Sequence, residues 1–147
     1  MNNPINDFIK KQDAEKFATD NGRIMHAKLQ FVRLGSQPSG DADLIAKIQE
    51  LGPELQSFFG ENSRAEVPVA GVVDGRFISR RIDRLVIDDA AKCIRILDYK
   101  TDTDQEKFRL KYIAQLQEYK SLMKQIYPDY KIYCYILWLH NWKLENI

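Results

Sequence analysis

Asp98, Tyr99 and Lys100 close a run of apolar and β-branched residues, Cys93 to Tyr99, that reads as a strand. Side chains of a strand alternate between faces, so the Asp98 carboxylate and the Lys100 ammonium emerge on the same side. An earlier run, Arg81 to Ile87, reads as a second strand and carries Asp83 near its start. Folded as a hairpin about Asp89-Ala90, residues whose numbers sum to about 179–181 oppose each other, which brings Asp83 near Asp98. Two ionised carboxylates about 4 Å apart, at an effective dielectric of about 20, repel by roughly 4 kcal/mol. One lysine offsets part of that repulsion and a divalent cation offsets more. The alternative is an exposed salt-bridge cluster, where ion pairs contribute only about 0–1 kcal/mol. The long apolar sets on both strands favour a central position, which speaks against a surface cluster and keeps the metal site open.

The elements that must hold these groups follow from periodicity and turn chemistry. Residues 1–60 read as helical. A short helix over 4–18 starts with Asn3 as N-cap and Pro4 in the first turn, presents Ile5, Phe8 and Ile9, and is broken by Asp20-Asn21-Gly22. A second helix, from about Gly22 to Leu34, is expected to bury Ile24, Ala27, Phe31 and Leu34. His26 falls one position off that stripe, beside Met25 and Leu29. It is either a hydrogen-bonded boundary residue or, if the helix crosses the mouth of the acidic pair, a group that reaches into the cleft. Gly35 to Gly40 is a linker. Ser39 is expected to cap a third helix running from Asp41 to about Leu51, which Gly52-Pro53 interrupts before Phe58 and Phe59. These two rings belong to the core or meet another domain.

Residues 64–139 supply the sheet and its crossover. Arg64 to Val73 reads as a strand that Pro68 assigns to an edge or a bulge, and Asp74-Gly75 is a hairpin turn. Arg76 to Ile87 follows as one long strand with a bend. Its arginines, Arg76, Arg80, Arg81 and Arg84, either solubilise the surface or line a path for a polyanion, since guanidinium forks match phosphate oxygens. Thr103 and Glu106 form a capping box for the longest helix, about Asp104 to Tyr127, with Phe108, Tyr112, Gln115, Tyr119, Leu122 and Ile126 on one face. Gln115 is either a boundary amide or an uncharged donor and acceptor turned to the site. Pro128-Asp129 ends the helix, Tyr130 to Leu139 is a last buried strand, and 140–147 is a tail. Three strands in meander, a crossover helix and a final strand define an α/β domain with a mixed sheet flanked by helices. Its site is expected in the crevice at the strand ends.

With 147 residues the chain is large enough for one domain with a core. A net charge of +1 does not select a partner, because nucleic-acid affinity depends on local basic surface. Cys93 and Cys134 are expected as reduced thiols, and without a paired-cysteine spacing there is no support for zinc or iron–sulfur binding. No apolar signal core opens the chain and no run reaches membrane-spanning length, so a soluble, cytoplasmic protein is expected. No Walker-type phosphate loop is present, which excludes an ATP-driven helicase of that kind within these residues.

Taken together, Gly22-Arg23-Ile24-Met25-His26, Glu66-Val67-Pro68, Ile82-Asp83-Arg84, Asp98-Tyr99-Lys100-Thr101 and Gln115-Leu116 with Tyr119 resemble, in this order, the RecB-type nuclease domain of the PD-(D/E)XK superfamily. Within it the likeness is to the C-terminal nuclease domain of AddA-type helicase–nuclease subunits, which process double-strand DNA breaks in bacteria. The motifs span positions 22 to 119. The resemblance implies a restriction-endonuclease-like fold over 1–147 and a Mg2+-dependent exonuclease hydrolysing DNA phosphodiesters, with Mn2+ able to substitute. It implies that His26, Asp83 and Asp98 bind the metal with help from the Tyr99 carbonyl, that Lys100 positions or polarises the attacking water, and that Glu66 supports them. Gln115 and Tyr119, one helical turn apart, would organise the site and touch the DNA backbone, with Arg80, Arg81, Arg84 and Thr101 as further DNA contacts. The implied partners are DNA, the helicase portion of a longer polypeptide and a second subunit, in the bacterial cytoplasm. Arg80 departs from the pattern by replacing a glycine, which implies strain, altered strand geometry or an added phosphate contact. A catalytically silent DNA-binding or docking module is the alternative reading.

Overall fold

The computed structural model describes residues 21–102 and 105–147. The helix expected over 4–18, Asp20 of the expected break and Thr103 of the capping box lie outside them. The second helix, expected from about Gly22 to Leu34, covers residues 21–29, and this segment is α1. It is followed by α2 (Ala42–Glu50), α3 (Pro53–Gln56) and a 3-10 turn (Ser57–Phe59). The sheet then begins with β1 (Ser63–Val73), β2 (Arg76–Asp88) and β3 (Cys93–Lys100). The long helix α4 (Gln105–Ile126) leads to β4 (Lys131–Trp138) and β5 (Lys143–Asn146).

The five strands lie in the order β1-β2-β3-β4-β5. Only β3 and β4 are parallel, because only they are joined by a helix long enough to return the chain to the starting end. This is a mixed sheet flanked by helices, the restriction-endonuclease-like α/β architecture. Asp74 and Gly75 both adopt positive φ, 51° and 75°, the two-residue turn that matches strand twist. The β2–β3 hairpin pairs Asp88 with Cys93 and Arg84 with Leu97, so opposed residues sum to 181, within the expected range. Pro68 sits on β1, an edge strand, where its missing N–H costs no ladder bond. Residues 143–146, expected within a tail, pair antiparallel with the second half of β4.

Two cores sandwich the sheet. On one face α4 contributes Leu116, Tyr119, Leu122 and Met123 against Ile94, Ile96, Ile136 and Trp138. On the other, Leu29, Val32, Ile48, Leu55, Phe58 and Phe59 cover Val86, Leu97 and Leu137. Phe58 and Phe59 are thus core residues, fully buried, and are not presented to another domain. Both cysteines are free; Cys134 is buried and Cys93 half-buried. Asp41, in place of the expected Ser39, caps α2 by accepting the Leu44 N–H at 3.1 Å. No helix among the described residues is long and apolar enough to cross a membrane.

The orientation of α1 departs from the hydrophobic pattern. Ile24 and Phe31, expected in the core, are 56% and 68% exposed, while Leu29 and Val32 are fully buried. Two backbone-directed contacts outweigh the apolar stripe. Arg84 donates to the carbonyls of Leu29, Gln30 and Val32, anchoring the C-terminal end of α1 to β2. At the other end Gly22 lies so close to Thr101 that a Cβ there would come within 2.4 Å of Thr101 Cγ2. Gly22 and His26, four apart on one helix face, therefore work together: the glycine admits the close approach and the histidine inherits the position it creates.

Candidate metal centre

The site lies where the sheet forks. The last rung between β2 and β3 joins Arg84 to Leu97. Beyond it β2 stays with β1 in a two-stranded arm, while β3 stays with β4 as far as Lys100 opposite Trp138. The backbone of β3 consequently loses its β2 partner at the fork, and Asp83 supplies a substitute: its Oδ2 accepts the Tyr99 N–H at 2.7 Å. The N–H and C=O of a strand residue face the same neighbour, so the Tyr99 carbonyl is directed to the same gap.

Asp83 Oδ1 lies 2.9 Å from His26 Nε2, and Glu66 Oε1 lies 3.4 Å from the same nitrogen. One ligand atom from each of His26, Glu66 and Asp83 lies within 4.8 Å of the other two. Glu66 reaches this position through an unusual backbone. Its φ is 54°, and the β1–β2 register, regular on both sides, passes over the Glu66–Asp83 rung. A left-handed conformation costs a non-glycine residue roughly 1–2 kcal/mol, and such strain gathers at functional sites. The Tyr99 ring meets His26 edge-on, centroids 5.2 Å apart, and packs against the imidazole.

Asp98 is 3% exposed and stands behind this trio. Its Oδ2 lies 2.8 Å from Lys100 Nζ, without the alignment of a hydrogen bond, and has no hydrogen-bond partner. Burial pushes the Asp98 carboxyl up to about 7, the Asp83 charge adds to the shift, and Lys100 opposes it. The hydrogen bond to Asp83 raises the His26 imidazole above its ordinary value; burial opposes that, and the charges of Asp83, Glu66 and Asp98 reinforce it. Lys100 also donates to Gln115 Oε1 at 2.8 Å, and Gln115 Nε2 donates to Tyr119 Oη at 2.7 Å. Tyr119 Oη in turn is 3.4 Å from the Arg81 carbonyl. Gln115 is thus an uncharged donor and acceptor turned to the site and not a boundary amide: it couples the lysine of β3 to the arm.

The expected site residues separate into groups. His26, Glu66 and Asp83 converge, with Asp98, Lys100, Gln115 and Tyr119 directly beside them. Glu66, expected in support, stands among the ligand-type atoms, whereas Asp98 is engaged with Lys100. Arg81 is exposed on the arm, and Arg80 pairs with Glu118 of α4 at 3.1 Å. Arg80 causes no backbone strain; among β1 and β2 residues other than those of the turn, the positive φ falls on Glu66. Thr101 packs against Gly22. Arg84 requires a correction. It is 2% exposed, donates to Ser63 Oγ and to three carbonyls, and lies over the Phe59 ring at 4.6 Å, so it faces inward and presents nothing to DNA. Its placement of α1 escaped the sequence, because its acceptors are main-chain oxygens that no residue type betrays. Tyr112, read only as packing, lies over Lys100. Its spacing of three from Gln115 and seven from Tyr119 on one helix face was the available clue.

One imidazole nitrogen and two carboxylate oxygens at these separations suit a divalent cation, whose octahedral ligands at about 2.1 Å stand roughly 3–4 Å apart. The buried Asp98 Oδ2, 2.8 Å from the Lys100 ammonium but without a hydrogen bond, is the kind of atom a divalent cation would satisfy further. No family model and no curated protein matches the chain. Fold and site together define a restriction-endonuclease-like α/β domain bearing a His/Glu/Asp cluster able to chelate a divalent metal.

Proposed function

We propose that residues 1–147 form a single metal-dependent DNA nuclease domain of the RecB type, the phosphodiester-hydrolysing end of a helicase–nuclease that processes double-strand breaks in the bacterial cytoplasm. The observation that carries this reading is the convergence at the fork of His26, Glu66 and Asp83, with Asp98 and Lys100 alongside. The order of the five motifs supports it independently. His26, Glu66 and Asp83 would hold the cation, with Asp98 and the Tyr99 carbonyl completing an oxygen-rich set that suits Mg2+ or Mn2+. When bound, the cation supplies Lewis acidity and charge neutralisation for attack of water on phosphorus.

The chain's own residues do the rest. Lys100, anchored by Gln115, presents an ammonium beside the acids, where it orients a water and balances negative charge on the phosphoryl oxygens. Tyr119 ties Gln115 to the arm, so Lys100 of β3 is linked through two side chains to β2. Arg81, exposed on the arm, is placed to meet the DNA backbone. The helicase portion and a second subunit would deliver the strand.

The test is cleavage of linear single-stranded and duplex DNA with Mg2+, beside a binding assay. Asp98→Ala and Lys100→Ala are expected to lower cleavage about a thousandfold or more, while the Asp98 variant binds DNA as well as the wild type or better, having lost a negative charge. Cleavage that survives both substitutions, or that needs no divalent cation, would refute the reading.

A further inference from the structure

Lys100 is held on three sides. Its Nζ lies 2.8 Å from Asp98 Oδ2, donates to Gln115 Oε1 at 2.8 Å and sits 4.3 Å from the centroid of the Tyr112 ring. The two polar partners set charge and direction. The ring does something neither can: its negative face attracts the ammonium without a lone pair fixed in direction. An acceptor in its place would engage a further N–H of the amine. A π face leaves that N–H free to turn toward a reacting oxygen.

The ring is itself held in place. Its hydroxyl donates to Asp102, two residues beyond Lys100, and its face tilts against Trp138 with centroids 5.9 Å apart. Trp138 is fully buried, pairs by register with Lys100 and donates through Nε1 to Glu145 Oε2 at 2.9 Å. Glu145 on β5 pairs with Arg109 on α4. The helix that carries Tyr112 and the strands beneath it are thereby locked together on either side of the ring. A lysine stem has four rotatable bonds and loses substantial entropy when fixed. A wall built into the fold restricts that stem before any substrate arrives.

We propose that Tyr112 is a positioning residue, whose ring confines the Lys100 ammonium between Asp98 and Gln115 in the orientation the reaction uses. This rests on the nuclease reading for its consequence, but not for its geometry, and the test separates the two. The first arm is proton NMR of the Lys100 side chain in the full chain. The ring current shifts its terminal methylene protons upfield in the wild type, and the shift vanishes in Tyr112→Leu. The second arm is steady-state cleavage of a linear single-stranded DNA with Mg2+. Tyr112→Leu lowers kcat about 3- to 30-fold with KM little changed, and Tyr112→Phe, which keeps the ring, recovers most of the loss. Adding one, two and three fluorines to the Tyr112→Phe ring weakens its negative face at nearly constant size, so kcat falls stepwise while the unfolding midpoint stays put. This series keeps the test decisive if the leucine variant does not fold. A flat kcat across it, or an unshifted Lys100 in the wild type, would overturn the proposal. A wild type that shows the shift but cuts no DNA overturns the nuclease reading and sustains the placement.

Discussion

Asp83 and Arg84 are neighbours on β2, both charged and both buried, yet their surroundings differ in kind. Arg84 lies among main-chain oxygens at the C-terminal end of α1, where the helix dipole concentrates negative charge, and its terminal nitrogens are supplied with acceptors at 2.7 to 3.4 Å. Asp83 lies with Glu66 and Asp98 around one histidine and one lysine. The cation is a nearly closed arrangement, its terminal nitrogens supplied with acceptors and only Nε without one. The acids are an open one, in which three carboxylates meet too little positive charge. Arg84 is a buried charge that builds the fold, the acids are buried charges whose crowding a divalent cation would relieve, and the two are linked, because Arg84 holds the helix that brings His26 to Asp83.

Breaking the closed half should have the largest effect on stability. Arg84→Met keeps a long apolar stem over Phe59 but strands the carbonyls of Leu29 and Val32. The expected loss is about 2–4 kcal/mol, seen as a fall in Tm of roughly 4–16 °C. Divalent-metal affinity should drop as well, since α1 carries His26. A variant that lost stability but bound metal as tightly as the wild type would uncouple the two halves and show that His26 is placed by something else.

The open half should reveal itself through pH. The folded-state values of Asp98 and His26 both lie above their ordinary ones. Each group therefore contributes stability that is complete below its unfolded value and is lost as pH rises through its folded value. For Asp98 that window runs from the ordinary 3.8 up to about 7, and for His26 it lies above 6.5. Glu145, held below its ordinary 4.5 by Trp138 and Arg109 against the opposing effect of its own burial, acts in the reverse direction and only at lower pH. The metal-free protein should thus lose stability between pH 5 and 8, and Mg2+ should raise Tm more at pH 8 than at pH 5.5. Melting curves across this range check both statements; a metal-free Tm that rose with pH would contradict the charge crowding.

The smallest effect sharpens the comparison most. Glu66→Gly relieves the positive φ and removes one acid from the cluster. The fold should gain about 1 kcal/mol while metal affinity falls, a stability gain at the expense of the site. Urea unfolding without metal and a metal titration read the two sides separately. Destabilisation in the absence of metal would mean that Glu66 supports the fold and is not strained for the site.

The hairpin that carries the acids was legible because local signals agree: turn residues at Asp74-Gly75 and near Asp89-Ala90 flank runs of alternating strand formers, and register follows from turn position. Asp98 and Lys100 on one face followed from the same alternation. His26 was legible as a candidate ligand only through resemblance, since periodicity alone left it at a boundary. The orientation of α1 was misjudged because Ile24, Ala27 and Phe31 make a plausible stripe, whereas the forces that turn it are hydrogen bonds to main-chain oxygens and a glycine contact. β5 was missed because four residues of which Leu144 alone is apolar, Lys143 to Asn146, carry little strand signal until β4 offers an edge. The place of Glu66 among the ligand atoms depends on a backbone excursion that a glutamate does not announce.

Whether the acids at the fork hold one divalent cation is decided by calorimetric titration of Mn2+ into the wild type, Asp83→Ala and His26→Ala. The account predicts one saturable site per chain in the wild type, abolished in the Asp83 variant and weakened about 10- to 100-fold in the His26 variant. Binding of equal strength in all three proteins, or none in any, would contradict it.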